Sequence, residues 1–375
     1  MRHRDGIPHA PSIPVVDVTL SATTRGHDDS HSQPINEEIM ATADEAGDPF
    51  RLALSLTGGA STGTYCAGAL DFIIEALDAF EQARTKGADQ APPHRVLLEG
   101  ISGASSGALT GAIAASGLRF AFDPVHPDDP DHPDRDLVTR LHNPLYNSWV
   151  NLTDAAHLLG VQDADEDGIP SLFDCTQLNQ VAQKTITFGA GHALKTREWL
   201  AEPLRVCFSV ANLEGIPFAL PSADSIGNAQ SVLHTDVLRF NVGYRGSVSV
   251  CHQCEDERPL SFPIDPAALR SPEWRAFSLA ALGSAAFPVV LASRTITRPK
   301  ADYGTMKVVL PAGKGRAAKA ETITPDLPRD PKDITFTAAD GGIVDNSPVD
   351  LARAILNDRK ALASNESTGG NADRA

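Results

Sequence analysis

Hydrophobic and polar positions alternate most regularly along Arg51-Leu-Ala-Leu-Ser-Leu-Thr57, a pattern that predicts a β-strand. The run stops at Gly58-Gly59. From about Thr64 to Phe80 the spacing becomes helical, with Leu70, Ile73, Ile74 and Leu77 on one face. A second apolar run, Arg95 to Ile101, predicts another strand and leads into Gly103-Ala-Ser-Ser-Gly107. A helix of small residues, Ala108 to Ala115, follows. Strand, glycine turn and helix thus occur twice in succession, the signature of a parallel sheet with helices on its faces. Further strands are predicted at Leu204–Ala211 and Asp333–Ala339, and a closing helix from about Pro348 to Leu356.

The flanks lack such patterning. Residues 1–48 are polar, rich in His, Asp and Ser, and aperiodic, and residues 361–375 are of similar character, so both are expected to be disordered tails around one domain at 49–360. Within that domain, Asp123 to Asp136 (DPVHPDDPDHPDRD) reads as an exposed loop and Gly313 to Asp333 as a flexible connection. No internal repeat is visible. The expected fold is α/β, with loop insertions.

Charge narrows the functions available. A net charge of −16 with no Lys/Arg cluster argues against nucleic acid as a partner. It also disfavours an anionic membrane surface, while leaving room for transient contact with lipid. The N-terminus has no apolar signal region, and no stretch reaches the ~18 consecutive apolar residues of a membrane span. The five cysteines are scattered, which suits a reducing compartment. The expected location is cytoplasmic, and the sequence leaves the oligomeric state open.

Two short motifs carry the chemistry. Gly103-Ala-Ser-Ser-Gly107 is a G-x-S-x-G nucleophile elbow placed between a predicted strand and a predicted helix. Such a turn lifts Ser105 to the top of the sheet, with Gly103 and Gly107 small enough for the backbone to pass, and aims the N–H groups of the next helix at the same spot. Asp340 follows the last predicted strand, and Gly341-Gly342 lets the chain turn beside it. No histidine follows His252, so a Ser…Asp…His order is impossible, and the serine's base would be a carboxylate, a Ser-Asp dyad. A carboxylate's ordinary pKa of ~3.9 is low for that task, and burial would raise it.

A third segment, Gly58-Gly59-Ala60-Ser61-Thr62-Gly63, also lies between a strand and a helix. Its backbone N–H groups could cradle a nucleotide phosphate or form an oxyanion hole. It matches neither the Walker A nor the dinucleotide fingerprint, and the elbow on the next strand favours the oxyanion hole.

Taken together, Leu54–Gly63, Gly103–Gly107, Ser284-Ala-Ala-Phe-Pro288 and Asp340-Gly-Gly-Ile-Val-Asp-Asn-Ser-Pro348 resemble, in order, the motif blocks of the patatin-like phospholipases, a family of lipid acyl hydrolases. The resemblance implies a three-layer sandwich with a mainly parallel central sheet. It implies Ser105 as nucleophile, Asp340 as base, and Gly58, Gly59, Ala60 and Gly63 as the oxyanion loop. It further implies a lipid or acyl-ester substrate and no cofactor or metal. Ala60 stands where the family usually has its third glycine. Thr62 stands where many members carry Arg or Lys, so a positive charge that would hold anionic head groups is missing.

Weaker signals complete the picture. Asp163–Asp174 resembles an EF-hand loop, with carboxylates at loop positions 1, 3, 5 and 12, but proline occupies position 8; an acidic surface loop is favoured over a calcium site. Cys251-His-Gln-Cys254 lacks a second ligand pair for zinc. Trp149 either packs in the core or lines an acyl channel. Two other functions stay open: a serine acyltransferase, which would need a histidine from among His142, His157, His192 and His234, and a catalytically inactive lipid-binding scaffold.

Overall fold

The computed structural model describes residues 49–87, 92–126, 133–153, 155–164, 168–186, 192–220, 229–245, 256–262, 271–304, 306, 308–310, 321–327 and 329–357. Both expected tails lie outside these residues, as do Cys251, Cys254, His132 and Asp165 to Asp167 of the acidic loop.

Two βα units come first: β1 (Phe50–Leu56) and α1 (Thr62–Thr85), then β2 (Val96–Gly103) and α2 (Ser106–Gly117). A helical excursion follows, made of α3 (Pro133–His142), α4 (Pro144–Tyr146), a π-helical turn (Asn147–Asn151), α5 (Ala155–Leu158) and α6 (Thr176–Ile186). The chain re-enters the sheet as β3 (Leu200–Leu220), β4 (Ala229–Gly243) and β5 (Glu257–Ser261). Helix α7 (Pro272–Ser284) leads to β6 (Arg294–Pro299), and β7 (Val308–Leu310) and β8 (Glu321–Ile323) form a small separate sheet. Strand β9 (Asp333–Ala339) and helix α8 (residues 349–357) close the described chain.

Among the described residues the main sheet has seven strands, with β1 to β5 in chain order and β9 and β6 attached beside β3. Strands β1, β2 and β3 are parallel, and this is the half that carries the elbow. Antiparallel pairing enters where β3 meets β4 and β9, and where β9 meets β6.

Strand alternation decides which helices cover which face. Leu52, Leu54 and Leu56 point to one side of β1, into a core shared with Leu70, Ile74 and Leu77 of α1 and Ala108, Ala112 and Ala115 of α2. Ala53 points to the other side and meets Ala352 and Leu356 of α8. Helices therefore lie on both faces of an α/β sheet, in the three layers expected.

Element boundaries depart from the sequence pattern in four places. Helix α1 runs on to Thr85 because its last, polar turn is supported by the Arg84–Glu81 pair, at 2.8 Å. Strand β3 extends well beyond Leu204–Ala211. Gly215, at φ +75°, lets the strand continue through a register shift between Ala211 and Ile216. The expected loop at Asp123–Asp136 ends early, since α3 begins at Pro133, a residue suited to a first helical turn. The connection Gly313–Asp333 contains β8, paired to β7. No helix among the described residues is long and apolar enough to cross a membrane.

Candidate active site

Strand β2 ends at Gly103 and α2 begins at Ser106, so Ser105 occupies the turn between them. Its backbone has φ +54° and ψ −127°, a conformation that non-glycine residues reach only under strain. The flanking glycine at 107 allows it. A Cβ there would lie 2.2 Å from the Leu56 carbonyl oxygen, so any other residue would push α2 off the end of β1.

The Ser105 hydroxyl donates to Asp340 Oδ2 at 2.6 Å, across 235 residues of sequence. Asp340 leaves the end of β9, and its other oxygen accepts the Gly342 N–H at 2.7 Å. Its own N–H donates to the Ala286 carbonyl at 2.9 Å. Gly341 crosses β3 so closely that a Cβ would fall 2.0 Å from the Ser209 oxygen. Asp340 is 2% exposed. Burial raises its pKa above the ordinary carboxylate value, against the opposing effect of the bonds from Ser105 and Gly342. The arrangement can therefore take a proton from the Ser105 hydroxyl through a contact already in place.

The Gly58–Gly63 segment packs directly on Ser105. A Cβ on Gly58 would lie 2.5 Å from Ser105 Cβ and 2.6 Å from Asn346 Oδ1. Not all four expected donors point into the site, however. The Gly58 N–H donates to the Asn346 carbonyl at 3.3 Å, and the Gly59 N–H donates to Ser106 Oγ at 3.2 Å. Gly63 lies in the first turn of α1, where a Cβ would overlap the Trp149 ring. The N–H groups of Ala60 and Ser106 donate to no protein atom among the described residues. Ala60 does not have a positive φ, so alanine fits where the family has glycine.

Gly58→Ala is expected to lower ester hydrolysis at least about 100-fold, because the new methyl displaces the side chain of Ser105. Initial rates on a short-chain p-nitrophenyl ester, with the fold checked by circular dichroism, measure this; an unchanged rate would mean the loop does not abut the reacting group.

The neighbouring serines have other tasks. Ser102 is fully buried and donates to the Pro348 carbonyl at 2.8 Å. The Ser106 hydroxyl donates to the Gly59 carbonyl at 3.0 Å. Among the described residues no histidine is bonded to Ser105. His142 and His192 meet edge to face, their ring centres 5.3 Å apart, and His234 Nδ1 lies 2.7 Å from the Asn212 carbonyl.

Three contributors were not singled out from the sequence. Ser284 accepts the Ser105 N–H at 3.0 Å and donates to the Ser209 carbonyl at 2.6 Å. Asn346 joins the glycine loop to the turn after Asp340, its Nδ2 donating to the Gly58 carbonyl at 3.3 Å. Ser106 holds Gly59. The first two sit inside the motif blocks at Ser284–Pro288 and Asp340–Pro348, but an ordinary serine or asparagine carries no sign of its partner in sequence.

Trp149, in the π-helical turn, is partly buried and packs on the main core. It also lines an apolar cavity of about 50 Å³ together with Leu109, Ile113, Val181, Phe277 and Leu282, between α2, α6 and α7. In the acidic loop, Asp163 Oδ2 accepts the Cys175 N–H at 2.7 Å and Asp174 Oδ1 accepts the Thr176 N–H at 2.8 Å. Its two ends thus act as backbone acceptors, and no cluster of three candidate metal ligands forms among the described residues.

A family model described as patatin-like phospholipase matches residues 54–353. The chain is also similar to the uncharacterized protein y4iI of Sinorhizobium fredii, at 29% identity over 351 residues, which is 87% of this chain and 48% of that protein. The chain thus spans about half the length of the curated relative it matches.

Proposed function

Because the chain belongs to the patatin-like phospholipase family, whose members act on lipid esters, we propose that it is a serine acyl hydrolase working through Ser105 and Asp340. The observation that carries this reading is the 2.6 Å hydrogen bond from the Ser105 hydroxyl to Asp340 Oδ2 at the strained elbow. Asp340 takes the hydroxyl proton as Ser105 attacks the ester carbonyl, and returns it to the leaving alcohol. The raised pKa of Asp340 brings it nearer to what a base working close to neutral pH requires. Water then enters, loses a proton to Asp340 and attacks the acyl carbon; the acyl group leaves as the carboxylic acid while Asp340 returns the proton to Ser105 Oγ.

The oxyanion is held by the N–H groups of Ala60 and Ser106, which donate to no protein atom among the described residues, and by the N-terminal end of α2. Gly58 and Gly59 support these donors by closing the loop onto Asn346 and Ser106. The start of the acyl chain enters the small apolar cavity that begins one turn of α2 beyond the elbow, at Leu109, with Trp149 in its wall.

Large apolar side chains stand exposed around this centre: Tyr65 at the start of α1, Phe287 and Val289 after the carbonyl that holds Asp340, and Ile343 three residues past Asp340. They provide a rim for transient contact with a lipid surface. The net charge of −16 favours a neutral or zwitterionic surface over an anionic one. Cys66, Cys175 and Cys207 are free buried thiols, which is in keeping with a cytoplasmic location.

The mechanism polarises the carbonyl with neutral N–H donors, so it needs no metal. Fatty-acid release from phosphatidylcholine vesicles by the purified protein should therefore be the same in excess EGTA as in added calcium. No release from any member of a lipid ester panel, or release that disappears in EGTA and returns with calcium while the protein stays folded, would count against this reading.

A further inference from the structure

Ser284 ends helix α7 and is fully buried, with its hydroxyl between two backbone segments. The hydroxyl hydrogen goes to the Ser209 carbonyl at 2.6 Å, because a carbonyl can only accept. An oxygen lone pair is then left for the Ser105 N–H, at 3.0 Å, because an N–H can only donate. Both roles of Ser284 are therefore fixed by its partners. The next turn of chain continues the pattern: the Ala286 carbonyl accepts the Asp340 N–H at 2.9 Å. Residues Ser284 to Ala286 thus hold the backbone N–H groups of both Ser105 and Asp340. Gly341 lies against the same hydroxyl, since a Cβ there would be 3.0 Å from Ser284 Oγ.

A strained residue keeps its conformation only where its surroundings over-determine it. At Ser105 the φ of +54° is opposed by ordinary steric preference, and Ser284 supplies the side-chain bond to that residue's backbone. We infer that Ser284 is a positioning residue for acyl transfer to Ser105. It fixes the elbow against β3 so that the Ser105 hydroxyl stays aligned on Asp340. It also occupies the Ser105 N–H, leaving the oxyanion to other donors. The inference rests on the assignment of Ser105 as nucleophile. A merely structural serine would affect how much protein folds. A positioning serine affects how fast each folded molecule reacts.

The test compares Ser284→Ala, Ser284→Thr and Ser284→Val with the unsubstituted protein. Reactive sites are titrated with a fluorophosphonate, and its labelling rate and ester turnover are expressed per titrated site. Ser284→Ala should show kcat and labelling rate per site reduced about 10- to 100-fold, with KM little changed. Threonine and valine have nearly the same shape, so the threonine variant, which keeps the hydroxyl, should react about tenfold or more faster per site than the valine variant. This comparison holds even if the alanine variant folds poorly. Equal per-site rates for threonine and valine, with Ser105 labelled in both, would overturn the inference alone. An unsubstituted protein that is not labelled, or a Ser105→Ala variant that still is, would overturn the nucleophile assignment and the inference with it.

Discussion

Ser105→Ala is expected to reduce hydrolysis of a p-nitrophenyl acyl ester by at least about 10³-fold while the protein remains folded. The hydroxyl is the only part removed, and its hydrogen bond goes to Asp340 rather than to the packing core. The remaining serines nearby cannot substitute. Ser102 is buried with its hydrogen on the Pro348 carbonyl, and Ser106 is held in the glycine loop. Turnover and melting temperature measured on the same preparation settle the outcome. A folded variant that retains a tenth or more of the activity would move the nucleophile away from residue 105.

Asp340→Asn should cost a comparable factor, about 10³-fold or more, because serine and base act as a unit, and the double variant should be little worse than either single one. The raised pKa of Asp340, whose main cause is burial, also sets the pH dependence. Activity requires the carboxylate, so the acid limb of the rate profile should lie above the ordinary aspartate value of ~3.9 and be absent from the residual activity of the asparagine variant.

Stability moves in the opposite direction. A folded-state pKa above the unfolded value contributes stability that is full below the unfolded pKa and is lost as pH rises through the folded one. At neutral pH the ionised Asp340 therefore weighs against the folded state. An asparagine side chain at this position would keep an acceptor for the Gly342 N–H without the buried charge. The variant should thus melt no lower than the unsubstituted protein near pH 7, with its relative advantage shrinking in acid. A variant that melts well below the parent at neutral pH would show that the carboxylate is structural rather than held at a cost for reaction.

Much of this was legible in sequence because it depends on local pattern. The alternation at Arg51–Thr57, the two strand–glycine–helix units and the strand before Asp340 place Ser105 and Asp340 at strand ends, and both are found there. What sequence could not show were contacts set by distant chain. Gly59 is adjacent in sequence to Ala60, yet its N–H is taken by Ser106, 47 residues away, and that bond separates a supporting glycine from an unoccupied donor. Ser284 lies 179 residues from Ser105, and its importance comes only from where α7 ends. Strand β3 runs on past Ala211 because Gly215 allows the register shift that carries it past β9, an irregularity fixed by its pairing with β4 rather than by local pattern.

Peptide mapping by mass spectrometry of the protein after reaction with a fluorophosphonate, run in parallel with Asp340→Asn, addresses the dyad most directly. The expected result is a single adduct on Ser105 in the unsubstituted protein, formed far more slowly when Asp340 is replaced. An adduct on a different residue, or labelling of Ser105 at the same rate in Asp340→Asn, would contradict a serine activated by Asp340.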